Sequence, residues 1–153
     1  MTIDRTLRVA TGVLALLVLG ACATRTVHPS ELQPDELYRS GMEAFEANRT
    51  EDALRFLEYF VQAHFGDERV PQAQFTIGEA YDRRREHISA ASAFQRLVTD
   101  FPAHELAPDA RLRICESYVA VSPRPELDQR YTRIAITHCE AVTRNHPQTP
   151  LAA

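Results

Sequence analysis

From Pro34 onward, apolar residues return every three to four positions, with polar residues between them, and the pattern is broken at regular intervals by Pro, Gly and charged clusters. This rhythm predicts six helices, over about 34–47, 50–64, 70–85, 88–101, 107–121 and 126–145. In the fourth, Ala90, Phe94, Leu97 and Phe101 fall on one face. Pro71, Pro102, Pro108, Pro123, Pro125, Pro147 and Pro150 fall at junctions or in first turns, where proline is tolerated. The Arg83-Arg84-Arg85 run closes the third helix, where cations suit the macrodipole. No stretch alternates with the period of two that a strand requires, so the chain is expected to be all-α.

The breaks in the pattern repeat. Gly41 and Gly78 stand 37 residues apart, and Cys115 follows another 37 on. Each opens one version of the same order: Gly41, Ala44, Ala53, Leu57, Phe65; then Gly78, Tyr81, Ala90, Phe94, Pro102; then Cys115, Tyr118, Ala135, Cys139, Pro147. A fixed period of this size signals stacked supersecondary units. Glycine inside a helix costs about 1 kcal/mol relative to alanine, so its return in the same phase needs a reason. Close approach of a second helix supplies one, with Ala53, Ala90 and Ala135 as the matching small residues and Tyr81, Phe94 and Tyr118 filling the space beside them. Three units are expected, about 34–69, 70–106 and 107–147, stacked as a solenoid of helical hairpins. In the third, the small-to-Ala spacing is 20 rather than 12, through "VSPRPELDQRY". That eight-residue insertion should lengthen the inter-helix loop or the helix after it.

The N-terminus follows different rules. The apolar run Val9 to Leu19 is too short for a membrane-spanning helix, which needs roughly 20 residues. Arg5 and Arg8 precede it and small residues close it, the layout of a secretory signal peptide over residues 1–21. Leu19-Gly20-Ala21-Cys22 resembles the lipobox of bacterial lipoproteins, which implies cleavage before Cys22 and lipidation of that cysteine. Acyl chains contribute about 0.8 kcal/mol per buried methylene and so anchor a domain to a bilayer. Ala23, rather than Asp, follows the cysteine, which resembles an outer-membrane sorting signal. Residues 22–33 then form a short tether.

Composition narrows the function. Formal charge is -4, and all 17 basic residues are Arg, scattered along an acidic chain; this argues against nucleic-acid binding. Three cysteines are too few for a disulfide framework. Cys115 and Cys139 hold the small position of one helix and the aromatic position of its partner; two buried thiols is the plainer reading, and a disulfide across the hairpin the alternative. His138, Cys139 and Glu140 are adjacent on one helix and do not converge on one ion, so no metal is expected. Phosphate-loop, zincin and nucleophile-elbow motifs are absent from the sequence, so neither enzymatic activity nor a cofactor is expected.

The units resemble tetratricopeptide repeats, whose hairpins carry small, aromatic, small, aromatic and Pro positions in this order. Lipobox, tether and 37-residue units together resemble the BamD (YfiO/ComL) family of outer-membrane β-barrel assembly lipoproteins. The residues that carry this are "LYRSGMEAFEANRTEDALRFLEYFVQAHFGDERVPQAQFTIGEAYDRR" and "AFQRLVTDFPAHELAPDARLRICESYVAVSPRPELDQRYTRIA". The widened third repeat, with its Ser-Pro-rich insertion, is also a family trait. Family members have about five repeats, so a truncated array is expected here.

The resemblance implies a lipid-anchored scaffold at the periplasmic face of the outer membrane. Its partners would be the barrel-assembly proteins and unfolded outer-membrane protein substrates. Groove positions carried over by repeat phase are Tyr38, Arg39, Met42 and Phe45; Phe75, Glu79, Asp82 and Arg83; and Leu112, Arg113, Glu116 and Val119. Aromatic residues there would take side chains of an extended peptide, and Arg39 or Arg113 its carboxylate; packing between units is the competing role. A Tol-associated periplasmic repeat protein is the alternative function, disfavoured by Cys22 and by the lack of heptads before Pro34. A peptidoglycan-active enzyme would need converging acids, and Glu43, Glu79 and Glu116 recur instead at the repeat spacing.

Overall fold

Prolines set where several of the helices start. Pro34, Pro71 and Pro108 each stand in a first turn, where the missing N–H costs nothing. In a computed structural model that describes residues 28–145, a short 3₁₀ turn, Pro29–Glu31, leads into six α-helices. These are α1 (Pro34–Glu46), α2 (Thr50–Ala63), α3 (Val70–Arg83), α4 (His87–Asp100), α5 (Ala107–Ala120) and α6 (Arg130–Asn145). Each packs chiefly on its neighbours in the chain, giving the hairpins α1–α2, α3–α4 and α5–α6 of an all-α solenoid. Cys22, the signal-peptide and lipobox readings, Pro147 and Pro150 lie outside the described residues.

The turn inside a hairpin is built the same way twice. After α1, the Arg49 N–H bonds the Ala44 carbonyl and Asn48 takes φ 57°. After α3, the Glu86 N–H bonds the Tyr81 carbonyl and Arg85 takes φ 59°. A left-handed residue followed by a bond reaching five positions back is the Schellman closure of a helix end. The joints between units also match. Asp67 accepts the Arg69 N–H at 2.9 Å, and in the same phase His104 Nδ1 accepts the Leu106 N–H at 3.2 Å.

Two apolar clusters fill the solenoid. Leu37, Leu57, Phe60, Val70 and Ile77 lead the first, across α1, α2 and α3. Phe94, Leu97, Ala110 and Ile114 lead the second, across α4 and α5. Phe60 and Phe94 are fully buried, and each contributes roughly 1.5–3 kcal/mol by leaving water.

The glycines mark close approach, and the side chains nearest to them are large. A Cβ on Gly41 would lie 2.5 Å from Leu57 Cδ2, and one on Gly78 would lie 2.5 Å from Phe94 Cε1. The nearest side chain over each glycine is therefore the large residue 16 positions on. Ala53 and Ala90 are fully buried one turn earlier. In the third unit the same two columns hold Cys115 and Cys139, and these form a disulfide, with Cα atoms 4.9 Å apart. This replaces the pair of buried thiols. The physical reason is the geometry itself: two columns that elsewhere place a side chain directly over a helix backbone bring two sulfurs within bonding distance.

The eight-residue insertion divides between loop and helix. The loops 47–49 and 84–86 have three residues each, whereas 121–129 has nine. The remaining two lengthen α6, in which Ala135 is the sixth residue, whereas Ala53 and Ala90 are the fourth in α2 and α4. The helix begins at Arg130 rather than near 126, because Asp128 accepts the Arg130 N–H at 3.0 Å and Gln129 turns its amide back onto the Arg124 and Leu127 carbonyls.

Candidate partner-binding surfaces

The predicted groove residues lie on α1, α3 and α5, and several of them hold one unit to the next. Tyr38 is half-buried, its ring 5.3 Å from that of Phe60 and 5.1 Å from the Arg69 guanidinium. Burial raises the Tyr38 phenol's pKa, and Arg69 partly opposes this. Met42 packs half-buried on the first cluster. Phe45 lies under Arg83, whose guanidinium sits 3.5 Å from the ring centre and donates to the Phe45 carbonyl at 2.6 Å. Those two contacts tie α3 back to α1.

The next pair of units is joined in a similar way. Arg113 reaches Glu79 of α3 at 3.7 Å and its own helix's Glu116 at 3.2 Å. Within the second unit, Phe75 meets Phe94 edge-on at 5.2 Å. Asp82 is taken by His87 at 3.1 Å. Arg39 is exposed and pairs loosely with Glu43 at 3.8 Å, and Val119 is exposed. The structure thus strings Phe45–Arg83 and Glu79–Arg113 together as inter-unit links. Among the described residues, Arg39 differs from the other two groove arginines in having only an exposed partner, Glu43, along its own helix.

A second surface, of mixed polarity, lies between the second helices of the first two hairpins. A groove of about 840 Å³ runs between α2 and α4 and is floored by α3. Val61, Ile77 and Ala93 line its base, and Phe65 and Ile88 stand exposed at its ends. Gln62, Ser89, Ser92 and Arg96 lie along its sides. Gln74 is buried there and donates to the Ala93 carbonyl at 3.1 Å. At the end near Ile88, Tyr81 gives its hydroxyl proton to Glu58 at 2.5 Å, and that hydrogen bond, with burial, pushes the phenol up to about 12. A floor of Val61, Ile77 and Ala93 edged by amide, hydroxyl and charged groups, with Glu58, Arg96 and Asp100 among the last, suits a peptide chain.

Repeat phase did not point to this groove, because the tetratricopeptide resemblance directs attention to the first helix of each pair. A signal was present. Phe65 is a bulky apolar residue in a turn, at a column filled by proline in the later units. Among the described residues no group of three or more His, Cys, Asp or Glu is placed to hold a metal ion, and no helix is long and apolar enough to cross a membrane.

Comparison with known proteins bears on the family. The chain is 23% identical over 136 residues to a curated protein of Aquifex aeolicus (strain VF5), named as a candidate outer membrane protein assembly factor BamD. The match takes in 84% of this chain and 43% of that protein, so the chain spans under half the length of its relative. Residues 30–153 match the YfiO family, described as outer membrane lipoprotein. With a repeat array of the expected kind and a family match over most of its length, the chain belongs to the YfiO family of outer membrane lipoproteins.

Proposed function

We propose that the chain is a non-enzymatic scaffold of outer-membrane protein assembly, held by a lipid on Cys22 at the periplasmic face of the outer membrane. It binds two kinds of protein: the barrel-insertase partner and unfolded outer-membrane protein substrates. It needs no cofactor and does not bind nucleic acid. The groove between α2 and α4 carries this reading, since Phe65 and Ile88 stand exposed at its ends beside amide and hydroxyl groups that suit a peptide backbone. The inner face contributes Arg39, Met42 and the exposed edges of Tyr38 and Phe45, while Arg83, Glu79 and Arg113 keep the units in register. Family membership supports the assembly role, and the name of the Aquifex protein agrees with it.

Photo-crosslinkers placed at Phe65 and Ile88, and separately at Tyr38 and Phe45, test this in the intact envelope. Adducts with outer-membrane proteins or their assembly partners are expected from the first pair. Recovery of only peptidoglycan or cell-division proteins from all four positions overturns the reading. The anchor has its own test. Cys22→Ser is expected to abolish incorporation of labelled palmitate and to release the domain from membranes, and undiminished labelling refutes the anchor.

A further inference from the structure

The third hairpin is held differently from the other two. Among the described residues both apolar clusters are built from the 3₁₀ turn and α1–α5 with their joints, and α6 contributes nothing to either. Among its described side chains, those of Ala135 and Val142 are buried, both small for a core. Tyr118 of α5 stacks on Tyr131 at 6.4 Å and on His138 at 5.5 Å, but all three are only half-buried. The hydroxyls of Ser117 on α5 and Thr132 on α6 are buried with no hydrogen-bond partner among the described residues. Ile136 leaves half of its surface in water. Where the first two units set Leu57 over Gly41 and Phe94 over Gly78, this one has the Cys115–Cys139 bond.

We propose that this disulfide is a redox lock that docks α6 on α5, closed by exchange with a disulfide-bearing oxidant of the dithiol–disulfide class. Cys139 is half-buried, whereas Cys115 has no exposed surface, so the exchange enters through Cys139. The Cys139 thiolate attacks the oxidant's disulfide, forming a mixed disulfide and expelling one thiolate. The Cys115 thiolate then attacks Cys139 Sγ and expels the second. Two electrons and two protons leave the cysteine pair, and the oxidant departs as its dithiol. In the dithiol form α6 and the loop 121–129 come away from α5, while α5 stays docked through Ala107, Ala110 and Ile114 in the second cluster. Locking thus requires an oxidising compartment.

Hydrogen exchange on the full chain, oxidised and after treatment with a phosphine reductant, tests the lock. Closing a loop of this length implies that reduction lowers α6 amide protection by at least about 100-fold. Protection in α2, α3 and α4 is expected to hold within about twofold. The double variant Cys115→Gly/Cys139→Leu, which installs the pair used in the first unit, is expected to recover protection and to ignore the reductant. Equal α6 protection in both redox forms overturns the proposal. Loss that spreads through α2–α4 overturns its local character. Failure of the double variant to protect α6 overturns the equivalence of the three pairs.

Discussion

Gly78→Ala is expected to lower the stability of the array by about 2 kcal/mol, even though alanine is the better helix former by about 1 kcal/mol. The new methyl would sit 2.5–2.7 Å from three atoms of the Phe94 ring. That ring is fully buried, meets Phe75 edge-on at 5.2 Å, and belongs to the second apolar cluster. A rigid aromatic in a filled core has nowhere to turn, so the backbones of α3 and α4 must part instead. Gly41→Ala should cost less. Its Cβ would meet Leu57 Cδ2 and Cγ, the branched end of a flexible side chain, with the Leu57 backbone nitrogen still 3.4 Å away. Urea unfolding of both variants gives the comparison. Phe94→Leu alone opens a cavity and is destabilising, yet in the Gly78→Ala background it removes the clash. A coupling of at least about 1 kcal/mol between the two sites is therefore expected. Equal losses for Gly41→Ala and Gly78→Ala, with no coupling, would sink this account of the glycine column.

The helices were legible because each has one apolar face whose period is unbroken between Pro, Gly and charged punctuation. Their bounds lie within four residues of expectation, and the largest departure, at the start of α6, comes from local capping by Asp128 and Gln129. The repeat was legible for the same reason: a column of small residues every 37 positions needs a neighbouring helix. Which side chain lies nearest the glycine was not legible. The periodicity puts Ala53 and Leu57 on the same face of α2, and only the axial offset of the two helices chooses between them. The disulfide was half legible, since phase placed both cysteines in facing columns but could not give the distance. Arg69 was missed altogether. Its column reads Leu32, Arg69, Leu106, a single cation among apolar residues, and that anomaly was the available sign.

Arg69→Met is expected to cost about 2–3 kcal/mol at neutral pH, because this one side chain joins three segments. Its Nε and Nη2 donate to the two oxygens of Asp67 at 2.8 and 2.7 Å. Its Nη1 reaches Asp35 of α1 at 2.9 Å. The guanidinium also lies 5.1 Å from the Tyr38 ring centre and 5.4 Å from that of Phe60. Methionine keeps the apolar stem and loses the fork. Arg69→Lys keeps the charge but not the paired geometry, and should recover less than half of the loss. Acid provides an independent check with a definite sign. The hydrogen bonds from Arg69 hold the Asp67 carboxyl down at about 2, below the ordinary value near 3.9. Asp67 therefore stabilises the fold fully above pH 4, and the contribution fades as pH falls toward 2. The gap between wild type and Arg69→Met should narrow over that window; a gap independent of pH would mean that Arg69 acts through packing alone. The consequence reaches the binding surface. Phe65, at the mouth of the groove, stands in the same turn as Asp67, so the fork that sets the first unit against the second also sets where Phe65 stands. Crosslinking from Phe65 should then fall in Arg69→Met under conditions where the protein is still folded, whereas crosslinking from Ile88, on the far end of α4, should persist.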